Sequence, residues 1–335
     1  MYQSFYKLTG KPFQLNPDPS FYFASRGHKR AMSYLEYGLH QGEGFIVITG
    51  EIGAGKTTLV KNLFRRVDPN SYVAAQLVST QLDADDTLRL IAAAFGLKHE
   101  EQSKAVLLKR LEEYLLSVHK QGRRALLVVD EAQNLTPRAV EELRMLSNFQ
   151  AGEKSLLQSF LLGQPEFRYT LQGEGMQQLR QRIIASYHLG PMDADETRAY
   201  IEHRMRTVGW VADPEFGEDC FAPIYAYTGG IPRRINTLCD RVLLFGYLED
   251  RHRIDAQTVD AVIGDLNGEM PTLAANDTGM QRVAVRKSGA GEERMLEQLD
   301  RRVSKMERSI VNILKLSREL LTLAQEKHPE KREGS

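Results

Sequence analysis

The run Gly50, Glu51, Ile52, Gly53, Ala54, Gly55, Lys56, Thr57 and Thr58 constrains this chain more than any other segment. It follows the apolar stretch Phe45-Ile46-Val47-Ile48 and leads into an amphipathic stretch over 59–67. A strand, a glycine-rich loop and a helix start in that order form the context of a P-loop. Gly50, Gly53 and Gly55 allow a tight turn whose N–H groups face inward at phosphate oxygens. The helix N-terminus adds partial positive charge. Lys56 has the reach for β- and γ-phosphates, and Thr57 offers a hydroxyl to Mg²⁺. A glycine turn with a chance lysine would require neither flanking element. The nine residues are therefore the candidate nucleotide-binding set, with a nucleotide's phosphates and Mg²⁺ as the expected ligands.

A chain of 335 residues has room for about two domains and an appendage. Lys and Arg total 44 and Asp and Glu total 44, so no global field draws the protein to nucleic acid or anionic lipid. Cys220 and Cys239 stand without a CxxC or a histidine cluster, which argues against zinc or a disulfide framework. Both are expected as small buried residues on helices. The first residues lack the apolar core of a secretory signal, and no stretch is long enough to span a bilayer. The expectation is a cytoplasmic protein, with peripheral docking at the inner membrane left open.

Residues 1–43 read as an N-terminal approach segment. Pro12, Pro17 and Pro19 interrupt it, Phe13, Phe21, Tyr22 and Phe23 anchor it, and a helix covers 28–40. Over 44–192, apolar runs at 45–48, 73–78, 125–129, 160–162 and 186–189 alternate with helical patterns. That alternation predicts an α/β domain with a parallel sheet and helices on both faces. Thr136-Pro137 predicts a helix start, with Thr136 as N-cap and Pro137 at the first position. Strand signals vanish over 193–267, where helices are expected at 193–208, 218–227, 232–249 and 256–266, a small all-α domain. A linker is expected over 268–291. Over 292–327, Leu296, Leu299, Val303, Met306, Ile310, Ile313, Ser317, Leu320 and Ala324 keep a heptad spacing that predicts a coiled coil, or an amphipathic helix folded back on the body. A polar tail fills 328–335.

A second chemical motif is the apolar run 125–129 ending in Asp130-Glu131. In an open α/β sheet such a strand tip borders the ligand crevice. Asp130 suits Mg²⁺ through its water shell, and Glu131 suits orienting or deprotonating an attacking water. A leaving phosphate also needs positive charge. Arg180 and Arg182 in LRQRI, and Arg233 and Arg234 in GGIPRRIN, are the candidates, each weighed against a plain surface arginine. Gln164 in LLGQPEF is placed either to sense a γ-phosphate or as a turn residue.

Taken together, GEIGAGKTT, LLVVDEAQNL, LLGQPEF, LRQRI and TGGIPRRIN resemble the AAA+ ATPases of the general secretion pathway protein A (ExeA) type. The segment PFQLNPDPSFYF with His28 resembles the same family's N-terminal segment, so the likeness covers roughly residues 1–267. The resemblance implies a P-loop AAA+ core with a helical lid. It implies Lys56 and Thr57 on nucleotide and Mg²⁺, and Asp130 and Glu131 as the Walker B pair. Gln164 would lie in the sensor-1 region. Arg180 or Arg182 would be an arginine finger reaching a neighbour's ATP, and Arg233 would be sensor 2. ATP would sit between subunits of a homo-oligomer. Where that family continues into a membrane span and a peptidoglycan-binding module, this chain shows the linker and heptad segment. That architecture looks more like the secretion ATPases associated with exosortase (PEP-CTERM) and exopolysaccharide loci. The implied function is an ATPase serving an envelope export system, with the coiled coil meeting an inner-membrane partner. The alternatives are a DNA-binding regulator akin to transposition ATPases of the TniB and TnsC kind, with Arg123-Arg124 on phosphates, and a nucleotide-gated scaffold. Neutral charge and the lack of a helix-turn-helix signature count against nucleic acid.

Overall fold

Strand β1 (Phe45–Gly50) is buried along its whole length, which suits a run apolar on both faces. It pairs in parallel with β6 (Leu157–Gly163) on one side and β7 (Ile183–Leu189) on the other. Beyond β6 lie β3 (Arg124–Asp130) and the edge strand β2 (Tyr72–Val78), completing a five-stranded sheet in the order β2-β3-β6-β1-β7. All four pairings are parallel. The five apolar runs read from the sequence are these strands, each extended by a few residues.

Alternation along the strands divides the core in two. Phe45, Val47, Leu127, Val129, Leu157 and Leu161 face one cluster. Ile46, Ile48, Leu126, Val128, Phe160 and Leu162 face the other. Helices α4 (Ala84–Ala94), α5 (Lys104–Lys120) and α6 (Pro137–Leu146) cover the first face. The second is covered by α2 (Arg26–Gln41) and α3 (Lys56–Arg66), which follow the four-residue α1 (Tyr2–Phe5) in the chain. Thr136 caps α6 by accepting a hydrogen bond from the Ala139 N–H at 3.1 Å, with Pro137 at its first position. A small antiparallel hairpin, β4 (Gln150–Ala151) with β5 (Lys154–Ser155), precedes β6. The short helices α7 (Phe167–Gln172) and α8 (Gln177–Arg180) link β6 to β7.

After β7 come α9 (Ala194–Thr207), α10 (Phe221–Thr228), α11 (Pro232–Leu248) and α12 (Ala256–Glu269). This region also contains a two-residue parallel pair, β8 (Glu215–Phe216) with β9 (Arg253–Ile254), so it is not purely helical. A strand of two residues is too short to leave a period in the sequence. Cys220 and Cys239 are both buried, Cys220 in a 3₁₀ turn and Cys239 on α11. The N-terminal segment belongs to the core of this helical region. Tyr2, Tyr6, Leu8 and Phe13 pack with Ile201, Met205, Leu238 and Val242, and the Tyr2 hydroxyl donates to Asp240 at 2.6 Å.

The computed structural model describes residues 2–78, 83–100 and 103–269. The expected coiled coil over 292–327, the tail over 328–335 and the linker beyond residue 269 lie outside the described residues.

Candidate functional site

The parallel order brings the C-terminal tips of β1, β6 and β3 side by side, and the loops that follow them carry the candidate chemistry. Gly53 and Gly55 both have positive φ, at 82° and 98°. A Cβ on Gly53 would run into the Arg233 side chain, and one on Gly55 would lie 2.7 Å from His28 Nε2. These glycines serve conformation and close approach together. Gly55 caps α3, whose first residue is Lys56.

Lys56 is buried, and its Nζ donates to the Gly50 carbonyl at 2.6 Å and the Glu51 carbonyl at 3.1 Å. Burial pushes its pKa down, and the nearby Glu131 and Asp130 carboxylates oppose that shift. Asp130 ends β3 and is 2% exposed. Burial pushes its pKa up, against the hydrogen bonds it accepts from the Thr57 hydroxyl at 2.8 Å and the Glu131 N–H at 3.0 Å. Thr57 and Asp130 thus present converging hard oxygen donors, the chemistry Mg²⁺ selects, and these two residues would hold it. A bound Mg²⁺ would neutralise phosphate charge.

Glu131 follows with φ of 55°, an uncommon conformation for a non-glycine residue and one that clusters at functional sites. Its Oε2 accepts from Gln133 Nε2 at 2.6 Å and from Gln164 Nε2 at 3.3 Å. Gln164, just past β6, therefore lies beside Glu131. Gln133 had no assigned role in the sequence, although it stands two residues beyond Glu131 in the same motif.

Arg233 opens α11 on top of the P-loop, its backbone N–H donating to the Gly53 carbonyl at 3.2 Å. Its side chain lines a cavity of about 190 Å³ together with Gly53, Lys56, Thr57, Thr58 and Glu131. Ile52 and Gly55 line the same cavity, Glu51 is exposed, and Ala54 is buried beneath the loop. Residues of the N-terminal segment form another wall, among them Leu15, Phe21 and Tyr22. Arg204 of α9 holds that segment: it donates to the Pro12 carbonyl at 2.5 Å, the Gln14 carbonyl at 3.1 Å and the Tyr200 hydroxyl at 2.9 Å. Buried His28 completes the wall, its Nδ1 2.7 Å from the Ser25 hydroxyl, and burial depresses its pKa to about 4. Arg204 and His28 were not anticipated as parts of the site. They meet it through tertiary contacts that leave no local motif.

Arg180 and Arg182 are not brought to this chain's own P-loop. Arg180 donates to the Leu171 carbonyl at 2.7 Å and the Gly173 carbonyl at 3.2 Å. Arg182 donates to the Ser147 hydroxyl at 2.5 Å and to the Asn148 side chain. Its carbonyl accepts from Phe45 N–H, at the end of β1 opposite the P-loop. Arg123 and Arg124 are also engaged, on the backbone carbonyls of Pro69 and Tyr72 and of Leu39 and His40 respectively.

Fold and site define a P-loop NTPase of the AAA+ class. Residues 39–171 match the AAA domain family. The ADP form of the Aeropyrum pernix ORC2 protein superposes with a TM-score of 0.60 at 18% identity, covering 78% of this chain and 74% of that one. Cdc6p from Pyrobaculum aerophilum gives 0.59 at 15% identity, covering 76% and 70%. In sequence the chain is 37% identical over 255 residues to General secretion pathway protein A of Aeromonas hydrophila, which covers 76% of this chain and 46% of that protein. The chain is an AAA+ protein related to general secretion pathway protein A, and it spans about half the length of that curated relative.

Proposed function

We propose that this protein hydrolyses ATP and couples the cycle to assembly or regulation of a bacterial envelope export system. The observation that carries the reading is the convergence of Lys56, Thr57, Asp130, Glu131 and Gln164 on three adjacent strand tips beneath Arg233. In the reaction, a water oxygen bonds to the γ-phosphorus as the bond from that phosphorus to the bridging oxygen breaks. ADP leaves with the electron pair, and Glu131 takes the water proton. Lys56 and the loop N–H groups hold the phosphates. Thr57 and Asp130 would hold Mg²⁺, which would neutralise phosphate charge, and Arg233 reaches the same phosphates from the lid.

Arg180 or Arg182 serves as the finger for a neighbouring subunit's ATP, since neither lies at its own P-loop. Hydrolysis then depends on a homo-oligomer. The export role rests on the secretion-pathway relative. The exosortase and exopolysaccharide association is the more specific form of that role, and the heptad segment is its candidate contact with an inner-membrane partner. Among the described residues no helix is long and apolar enough to cross a membrane.

The test is steady-state ATP hydrolysis at fixed salt by the full chain and by Glu131→Gln, with and without duplex DNA. The reading expects turnover that Glu131→Gln abolishes while nucleotide still binds, and indifference to DNA. Equal rates for the two proteins would sink it. Strong stimulation by DNA would replace the export role with a DNA-dependent one.

A further inference from the structure

Glu131 is held by its neighbours in a way the general reaction does not require. Gln133 lies in the 3₁₀ turn Ala132–Asn134 that follows it. The Gln133 side chain makes two bonds of opposite sense: Oε1 accepts from the Gln164 backbone N–H at 3.0 Å, and Nε2 donates to Glu131 Oε2 at 2.6 Å. A backbone N–H can only donate, so the side-chain amide is oriented without ambiguity. Gln164 Nε2 donates to the same Oε2 at 3.3 Å. Three groups from two strand tips thus close a ring around one carboxylate oxygen.

We propose that Gln133 is the positioning residue for the water-activating carboxylate. With two N–H donors on Oε2, the other oxygen, Oε1, is the one turned to the water. A carboxylate at the end of a free side chain would sample many rotamers. Here the hydrogen bond donated by the Gln133 side-chain amide and the left-handed backbone at Glu131 fix it against the β6 tip. The bond from Gln164 N–H ties Gln133 in turn to the strand bordering the P-loop strand. Gln133 acts through Glu131 and lies outside the set that lines the cavity, so its loss falls on turnover and leaves nucleotide affinity alone.

This inference rests on Glu131 as the base, and two nearly isosteric variants of the full chain test it. Gln133→Met removes both bonds. Gln133→Glu keeps an acceptor for the Gln164 N–H but cannot donate to Glu131, and it sets a second carboxylate against the first. Steady-state hydrolysis, fluorescent-nucleotide titration and thermal melts are measured beside wild type and Glu131→Gln. Both variants are expected to lose about tenfold or more in kcat, with nucleotide Kd changed by no more than about twofold and melting close to wild type. If Gln133→Glu keeps wild-type kcat, Gln133 is only a latch for the loop and the proposal fails. It fails equally if nucleotide affinity and melting temperature fall together with kcat, with Kd rising well beyond about twofold. Should Gln133→Met not fold, the Gln133→Glu result decides alone. If wild type is no faster than Glu131→Gln, the hydrolysis reading itself falls and takes the inference with it, an outcome distinct from the first two.

Discussion

The floor of the nucleotide cavity and its N-terminal wall obey different physics. The floor is three adjacent strand tips whose polar side chains bond to one another over short distances: Thr57 to Asp130, Gln133 and Gln164 to Glu131. The parallel sheet beneath fixes those tips whether or not the side chains are present. The wall is chain from 12 to 28 laid against the lid, and one buried arginine clamps it to a helix nearly two hundred positions away. Arg204 satisfies its charge with neutral carbonyls and the Tyr200 hydroxyl, and its guanidinium stacks 4.6 Å from the Phe21 ring centroid. Changes to the floor should therefore alter chemistry in a folded protein. Changes to the wall should alter folding and affinity together.

The largest expected effect is on the floor. Lys56→Ala removes the buried ammonium and should weaken ATP affinity by about 100-fold or more, measured by fluorescent-nucleotide titration. Circular dichroism should show the fold retained. Affinity within a factor of ten of wild type would mean that the wall, rather than the P-loop, supplies the binding energy.

On the wall, Arg204→Ala leaves the Pro12 and Gln14 carbonyls and the Tyr200 hydroxyl without their donor. The cost should be about 3 kcal/mol in urea unfolding, together with weaker nucleotide binding. Arg204→Lys keeps the charge but not the fork, and should recover only part of both. A stability loss with unchanged affinity would separate the clamp from the cavity and break the comparison.

His28 sharpens it, because it joins wall to loop. Burial lowers its folded pKa from 6.5 to about 4. Between those values the unfolded chain binds more protons than the folded one, so stability rises with pH across that window. The contribution is fully present above about pH 6.5 and is lost as pH falls through about 4, for a total of about 3 kcal/mol. Melting temperatures from pH 7 to 4 should fall less steeply in His28→Phe than in wild type. Parallel curves would show that His28 is not the buried neutral group the geometry makes it.

That division also explains what could be read from the residues alone. The floor was legible because each part is a short run with its own pattern. A glycine loop sits between strand and helix, an apolar strand ends in Asp130-Glu131, and the helix at Pro232 follows two glycines. The five sheet strands were legible for the same reason. Gln133 escaped notice although it stands beside Glu131, because its importance lies in a bond to Gln164 and no spacing rule encodes that bond. Arg204, His28 and the packing of Tyr2, Tyr6 and Phe13 into the lid depend on contacts between distant segments. So does the pairing of Glu215–Phe216 with Arg253–Ile254. Aromatic residues between prolines announced that the N-terminal segment was anchored, without saying to what.

The smallest effect tests where the floor ends. Thr136 caps α6 just beyond the turn that carries Glu131 and Gln133. Thr136→Ala should cost about 1 kcal/mol in urea unfolding, the ordinary value of an N-cap. It should leave both ATP affinity and kcat unchanged, because Asp130 and Glu131 are fixed by β3 and by the β6 tip and not by the helix that follows. A fall in kcat comparable to that of Gln133→Glu would show otherwise: the 3₁₀ turn would then take its geometry from α6. The floor would in that case reach into the helix layer on its own face of the sheet, and the separation of chemistry from packing would hold only on the side of the P-loop.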